Sequence, residues 1–142
     1  KLSYEFCKNT ESVPRGVWGK VSFCGPRSTV KKIESIIKNE KNQDIFECFF
    51  TSPYTLEVVR KGINKGYAVN RLTEILGIDK EKVGAIGDYY NDVPMLKTVS
   101  HPACCGQAPK DIKALVEYVT CHCNNGAVAD FINYLENKYI KK

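Results

Sequence analysis

The sequence predicts an α/β protein: a parallel sheet flanked by helices in its C-terminal part, preceded by a smaller α+β module. Three observations carry this. From Asn64 onward, short apolar runs alternate with stretches of helical periodicity, the texture of a parallel sheet covered on both faces. Before that point two β-prone runs are separated only by Ser52-Pro53-Tyr54, which predicts an antiparallel pair. Finally, the apolar run Val83-Gly84-Ala85-Ile86 ends in Gly87-Asp88, setting a carboxylate at the carboxyl end of a strand, where open parallel sheets hold their ligands.

Taken in order, residues 17–23 alternate and carry Val17, Trp18 and Phe23, as a strand does. Gly25-Pro26 breaks the chain ahead of a helix over 28–39, with Val30, Ile33, Ile36 and Ile37 at helical spacing and Lys31, Lys32 and Glu34 between them. Residues 45–51 and 55–59 read as strands. A helix then runs to Leu76 and stops at Gly77, followed by a strand over 83–86 and a helix over 92–97. A strand at 103–105, a helix over 109–115, a strand at 118–120 and a helix over 127–137 complete the alternation. Trp18 and the Phe46, Phe49, Phe50 cluster are read as strand packing in preference to a substrate pocket.

At 142 residues the chain is long enough for one ordinary domain and short for a two-domain enzyme. Its net charge of +5, from 21 basic and 16 acidic residues, is mild and well mixed apart from Lys138, Lys141 and Lys142; this is a solvated surface, not a nucleic-acid footprint. Seven cysteines, odd in number and irregularly spaced behind an N-terminus with no signal-like character, point to reduced thiols, mostly in the core, and to a cytoplasmic location. Cys121-His122-Cys123 with Cys104-Cys105 matches no Cys-x-x-Cys pairing, so packing is preferred to zinc. No apolar run approaches the ~20 residues that span a bilayer, and no membrane partner is expected.

The chemistry concentrates in two segments. In Lys61-Gly62-Ile63-Asn64-Lys65-Gly66 the glycines allow a close turn, and Lys65 stands at a helix start, the end that favours anions. A merely solvated lysine is disfavoured there, because the helix dipole already places positive charge at that end. Asp88, directly after a strand, and Asp92 four residues on make a carboxylate pair. Alone, an Asp after Gly is as readily a turn or cap residue; beside a lysine the pair makes a phosphate-and-magnesium constellation. His101 and His122 have no neighbouring acid or nucleophile in the sequence and read as structural or surface residues.

Lys65-Gly66 opening a helix, then Gly87-Asp88-Tyr89-Tyr90-Asn91-Asp92 followed by Met95-Leu96, resemble the third and fourth motifs of the haloacid dehalogenase superfamily, in its Cof-like sugar-phosphatase branch. Gln107-Ala108-Pro109 and Asn124-Asn125-Gly126-Ala127-Val128 resemble weaker features further on, so the likeness runs from about Leu56 to Leu135. It implies that residues 60–142 are the C-terminal part of a Rossmann-like core and residues 1–59 part of an α+β cap. It also implies that Asp88 ligates Mg2+, that Lys65 and Asp92 are catalytic, Asp92 by ordering metal-bound water or the lysine, and that Lys65 and Gln107 contact a small phosphorylated metabolite such as a sugar phosphate. Tyr89 and Gln107 replace the usual glycine and asparagine; neither change removes a charge, so they bear on substrate contacts.

The first motif of that family, Asp-x-Asp-x-Thr, occurs nowhere in the chain, whose first aspartate is Asp44, and Ser22 and Thr51 do not suit the second. The expectation is therefore a C-terminal portion of a longer enzyme whose missing aspartate forms an aspartyl-phosphate. The alternative is a non-catalytic binding or regulatory module that keeps the fold.

Overall fold

The computed structural model describes residues 19–39 and 44–140. Trp18 and the lysines at 141 and 142 lie outside that set, as does the beginning of the first expected strand. Within it the chain builds two three-stranded sheets of opposite character.

The first sheet comprises β1 (Val21–Cys24), β2 (Phe46–Ser52) and β3 (Thr55–Arg60), in the order β1-β3-β2 and antiparallel throughout, with a register irregularity between Phe50 and Ser52. Pro53 and Tyr54 turn β2 into β3 as the spacing predicts, and the Ser52 hydroxyl accepts the Tyr54 N–H at 3.1 Å. Helix α1 (Arg27–Asn39) lays Val30 against Phe50 and Leu56, all three buried, with Phe23, Ile33 and Cys48 around them. Of the apolar stripe expected on this helix, Ile36 departs: it is 59% exposed, because the sheet is only wide enough to cover the Val30 and Ile33 side.

The second sheet is parallel, as the alternation of elements requires: β4 (Gly84–Gly87), β5 (His101–Cys104) and β6 (Tyr118–Val119), in that order. Alternation along β4 and β5 sends Gly84 and His101 to one face and Gly87 and Cys104 to the other. Helix α5 (Ala127–Tyr139) covers the first, bringing Phe131 and Leu135 against Gly84 and Tyr139 against His101. The second face is covered by α3 (Val93–Leu96) and α4 (Lys110–Lys113), whose Leu96 and Ile112 pack with Cys104 and Ala108. Burying Leu96 and Ile112, each 1% exposed, contributes about 1.5–3 kcal/mol apiece. Helix α2 (Lys65–Leu76) rests on α3 and closes at Gly77, whose N–H bonds the carbonyls of Glu74 and Thr73.

Three expectations are corrected here. The thiols are not mostly in the core: among the described cysteines only Cys104 is buried and Cys24 and Cys123 are exposed, because Cys105, Cys121 and Cys123 fall in the loops that follow β5 and β6. The helix expected over 92–97 is a 3-10 turn at Tyr90–Asp92 followed by the four-residue α3. Pro94 takes the second position of α3, where a missing N–H has no intrahelical acceptor to lose. His101, read as lacking a neighbouring acid, meets Glu117 Oε1 at 3.4 Å and the Tyr139 hydroxyl at 3.2 Å. Glu117 precedes β6, and the parallel pairing of β5 with β6 erases the sequence separation.

Candidate active site

The segments that carry the chemistry meet at the carboxyl end of β4. Asn64 caps α2: its Oδ1 accepts the Tyr67 N–H at 3.0 Å, satisfying one of the donors left free at a helix start. Lys65 is therefore the first helical residue, and its side chain leaves the helix to form an ion pair with Asp92 Oδ1. The lysine is 52% exposed and the Asp92 side chain 6% exposed, so a buried carboxylate holds a cation whose outer side faces solvent.

The other oxygen of Asp92 orders the turn that bears Asp88. Oδ2 accepts the Asp88 N–H at 2.9 Å and the Tyr89 N–H at 3.3 Å. These bonds offset the cost of burying the carboxylate. They also fix the backbone on either side of the Asp88 side chain, which stays exposed.

Two glycines permit the arrangement. A Cβ on Gly66 would stand 2.5 Å from the Pro94 carbonyl oxygen and 2.8 Å from Thr98 Oγ1, so only glycine lets α2 approach α3 closely enough for Lys65 to reach Asp92. A Cβ on Gly87 would stand 2.5 Å from the Asp92 Cβ, so glycine there opens the space the carboxylate fills. The Lys-Gly and Gly-Asp pairs are thus steric as well as chemical.

Gln107, following β5, links Asp88 to the last loop. Its Nε2 donates to Asp88 Oδ2 over a long 3.4 Å and its Oε1 accepts the Cys123 N–H at 3.0 Å. That loop is anchored by Asp130 of α5, which accepts the Cys121 N–H at 2.7 Å and the Tyr118 hydroxyl at 2.9 Å and is thereby held below the usual carboxylate range. Cys105, beside Asp88, has its thiol pushed up first by burial and then by the Asp88 charge, so it stays protonated and is a poor nucleophile. His122 Nδ1 accepts the Asn124 N–H at 3.2 Å, a turn-forming contact.

Asp88, Lys65, Asp92 and Gln107 are therefore brought together. For three further residues the role is visible only in the structure, and Tyr89, read from the sequence as bearing on substrate contacts, is one of them. Asn64 caps α2 and donates through Nδ2 to Glu47 Oε1 of β2 at 3.0 Å, tying the two sheets beside Lys65. Tyr89 packs against the Val30, Phe50 and Leu56 cluster, so the residue after Asp88 is an anchor in the first sheet's core. Asp130 supports the loop that holds Gln107. A polar helix-start residue preceding Lys-Gly was the only signal among these that the sequence offered.

For a cation, the chain offers one exposed carboxylate with a single weak partner among the described residues, and no group of three His, Cys, Asp or Glu side chains among them converges. One hard oxygen arm at a strand end suits magnesium, which keeps several waters and uses one or two carboxylates with phosphate oxygens. Asp88 would hold that ion, and Lys65 would stand beside the phosphate it binds. Magnesium, when bound, would supply charge neutralisation of the phosphoryl oxygens.

A parallel sheet with helices on both faces defines a doubly wound α/β fold, and Asp88 and Asp92 lie just beyond the end of β4, the edge at which such sheets hold their ligands. The sequence profile of the haloacid dehalogenase-like hydrolases matches residues 4–132, and the chain belongs to that family. An HMP-PP phosphatase of Serratia proteamaculans is 34% identical over 125 residues, covering 85% of this chain and 45% of that protein. A phosphoglycolate phosphatase of Picrophilus torridus is 30% identical over 105 residues, covering 74% and 44%. The crystal structure of a haloacid dehalogenase-like hydrolase from Bacteroides thetaiotaomicron superposes with a TM-score of 0.72 at 29% identity, over 93% of this chain and 49% of that one. The chain spans slightly less than half the length of these proteins.

Proposed function

We propose that the chain is the C-terminal portion of a magnesium-dependent phosphomonoester hydrolase acting on a small phosphorylated metabolite, a sugar phosphate or a compound of similar size. Residues 60–142 are read as its share of the catalytic core and residues 1–59 as part of a cap. The preceding segment of the same protein is its partner in the fold and provides the aspartate that accepts the phosphoryl group. A cytoplasmic location is part of the reading, supported by the unpaired cysteines among the described residues.

The observation that carries it is the shared use of Asp92: one oxygen holds Lys65 and the other holds the backbone of Asp88. One buried carboxylate thus holds both a positive charge and the backbone that bears the exposed Asp88 carboxylate, and groups held before substrate arrives are how electrostatic catalysis avoids reorganisation during the reaction. In this reading Lys65 neutralises the transferring phosphoryl oxygens, Asp88 holds magnesium, Gln107 touches the substrate, and Asp92 acts through Lys65 as a positioning residue.

The test is phosphate release by the full-length protein with and without magnesium. Loss of about a hundredfold or more in kcat on Lys65→Ala or Asp88→Ala supports the assignment. Equal activity of wild type and Asp88→Ala removes the metal role. Absence of turnover in a full-length protein that binds small phosphorylated ligands supports a non-catalytic binding module instead.

A further inference from the structure

We infer that β2 is a common support for both halves of the site, with Tyr89 and Asn64 as positioning residues that fasten Asp88 and Lys65 to it, so that the chemical groups are set only while the first sheet stays docked. The coupling itself is independent of any reaction; its consequence for turnover rests on the phosphatase reading. Each residue that carries the chemistry has a chain neighbour that reaches the first sheet. Asn64, immediately before Lys65, donates through Nδ2 to Glu47 Oε1 of β2 at 3.0 Å. Tyr89, immediately after Asp88, packs against the buried cluster of Val30, Phe50 and Leu56, and Phe50 also belongs to β2. Neither side chain brings a charge, so each acts through the residue beside it.

The main chain of Tyr89 is tied to Asp92 twice. Its N–H donates to Asp92 Oδ2 at 3.3 Å, and its carbonyl accepts the Asp92 N–H at 3.0 Å. The same carboxylate oxygen holds the Asp88 N–H, and the other oxygen holds Lys65. A displacement of the Tyr89 ring therefore passes through two hydrogen bonds to Asp92, and from there to the lysine and to the turn that bears Asp88. Packed cores are bistable and not continuously deformable, so the ring is either seated or withdrawn. The glycine usual after Gly-Asp in the family has no side chain to make this link.

Asn64 divides its amide in the same manner as Asp92 divides its carboxylate. Oδ1 caps α2 by accepting the Tyr67 N–H at 3.0 Å, while Nδ2 reaches Glu47. Lys65, the first residue of α2, is thereby held from the sheet as well as from the helix. Misplacing a reacting group by about 1 Å costs on the order of a hundredfold in rate, so ties that fix Lys65 and Asp88 against one strand have leverage on turnover.

The experiment is amide hydrogen exchange on the full-length protein, read by NMR, with kcat/KM for a sugar phosphate as a second arm. In Tyr89→Ala the Asp88 amide is expected to exchange about tenfold faster or more, because its acceptor loosens. The Thr120 amide, bonded to the Cys104 carbonyl at 2.9 Å inside the second sheet, keeps its wild-type rate. Tyr89→Phe, which retains the ring, matches wild type in exchange and in turnover, whereas kcat/KM falls about tenfold or more in Tyr89→Ala. An unchanged Asp88 amide overturns the proposal, and so does equal acceleration of Asp88 and Thr120, which marks a general loss of stability. A loosened turn with unchanged kcat/KM overturns it as well. A wild type without turnover sinks the phosphatase reading alone, and the exchange rates still decide the coupling. Should Tyr89→Ala not fold, Glu47→Ala tests the other tie: the Tyr67 amide exchanges several-fold faster, and Glu47→Gln, which keeps an acceptor for Asn64, restores it. Unchanged exchange at Tyr67 in Glu47→Ala overturns the role of β2 as a support.

Discussion

Lys65 and Asp92 form an ion pair although 27 residues separate them, and the carboxylate is the buried partner. Such a pair is asymmetric in its consequences. The lysine, half exposed, can be hydrated if its partner is removed; the N–H groups of Asp88 and Tyr89 that share the carboxylate are less free to find water.

Asp92→Ala is therefore expected to destabilise the folded chain by about 1–3 kcal/mol, read as a lower denaturant midpoint. Asp92→Asn retains an acceptor for the backbone N–H groups while losing the ion pair, so it should cost less. An alanine variant as stable as wild type would contradict the role assigned to Asp92 in ordering the turn.

The two glycines of the site make a steric prediction. Gly66→Ala and Gly87→Ala each force a Cβ to within 2.5 Å of another atom, and overpacking of this kind costs about 1–3 kcal/mol. Gly25→Ala, where a Cβ meets nothing within 4 Å, is the control and should leave the melting temperature nearly unchanged.

Asp130 makes a prediction about pH. Its carboxyl is held below its ordinary value of 3.8, first by the Cys121 N–H and then by the Tyr118 hydroxyl. A depressed carboxyl adds stability that is fully present above the unfolded-state value and is lost as pH falls through the lower folded-state value. Asp130→Asn should therefore melt below wild type at neutral pH, with the gap closing as pH drops below about 4. A gap of constant size from neutral to acid pH would show that the charge of Asp130 is not what anchors the loop.

The 142-residue chain by itself should release no phosphate from an aryl phosphate with magnesium present, because the described residues place one exposed carboxylate arm at the site and the sequence holds no Asp-x-Asp motif to accept the phosphoryl group. Magnesium-dependent turnover by the purified chain would refute the proposed division of labour with a preceding segment.

Much of the second sheet was legible in the sequence because its signals are local. A strand buried on both faces must be apolar along its length, as Ala85 and Ile86 are, and helices between such strands must recur. The Gly87-Asp88 step was equally readable, since a strand end and a carboxylate are properties of adjacent residues. The same locality predicted the β2 to β3 hairpin, whose turn chemistry lies within four residues.

What the sequence alone determined was the order and type of most elements and the identity of Lys65, Gly66, Gly87 and Asp88 as a group apart. Only the tertiary structure decided how Asp92 divides its two oxygens, that Tyr89 is seated in the first sheet's core, and that Gln107 bridges Asp88 to a loop held by Asp130. These contacts join residues far apart along the chain, and no local pattern encodes which distant partner satisfies a buried carboxylate or covers an aromatic ring. They arise when two sheets and their helices pack, because each buried polar group must then find whatever donor or acceptor the packing brings within reach.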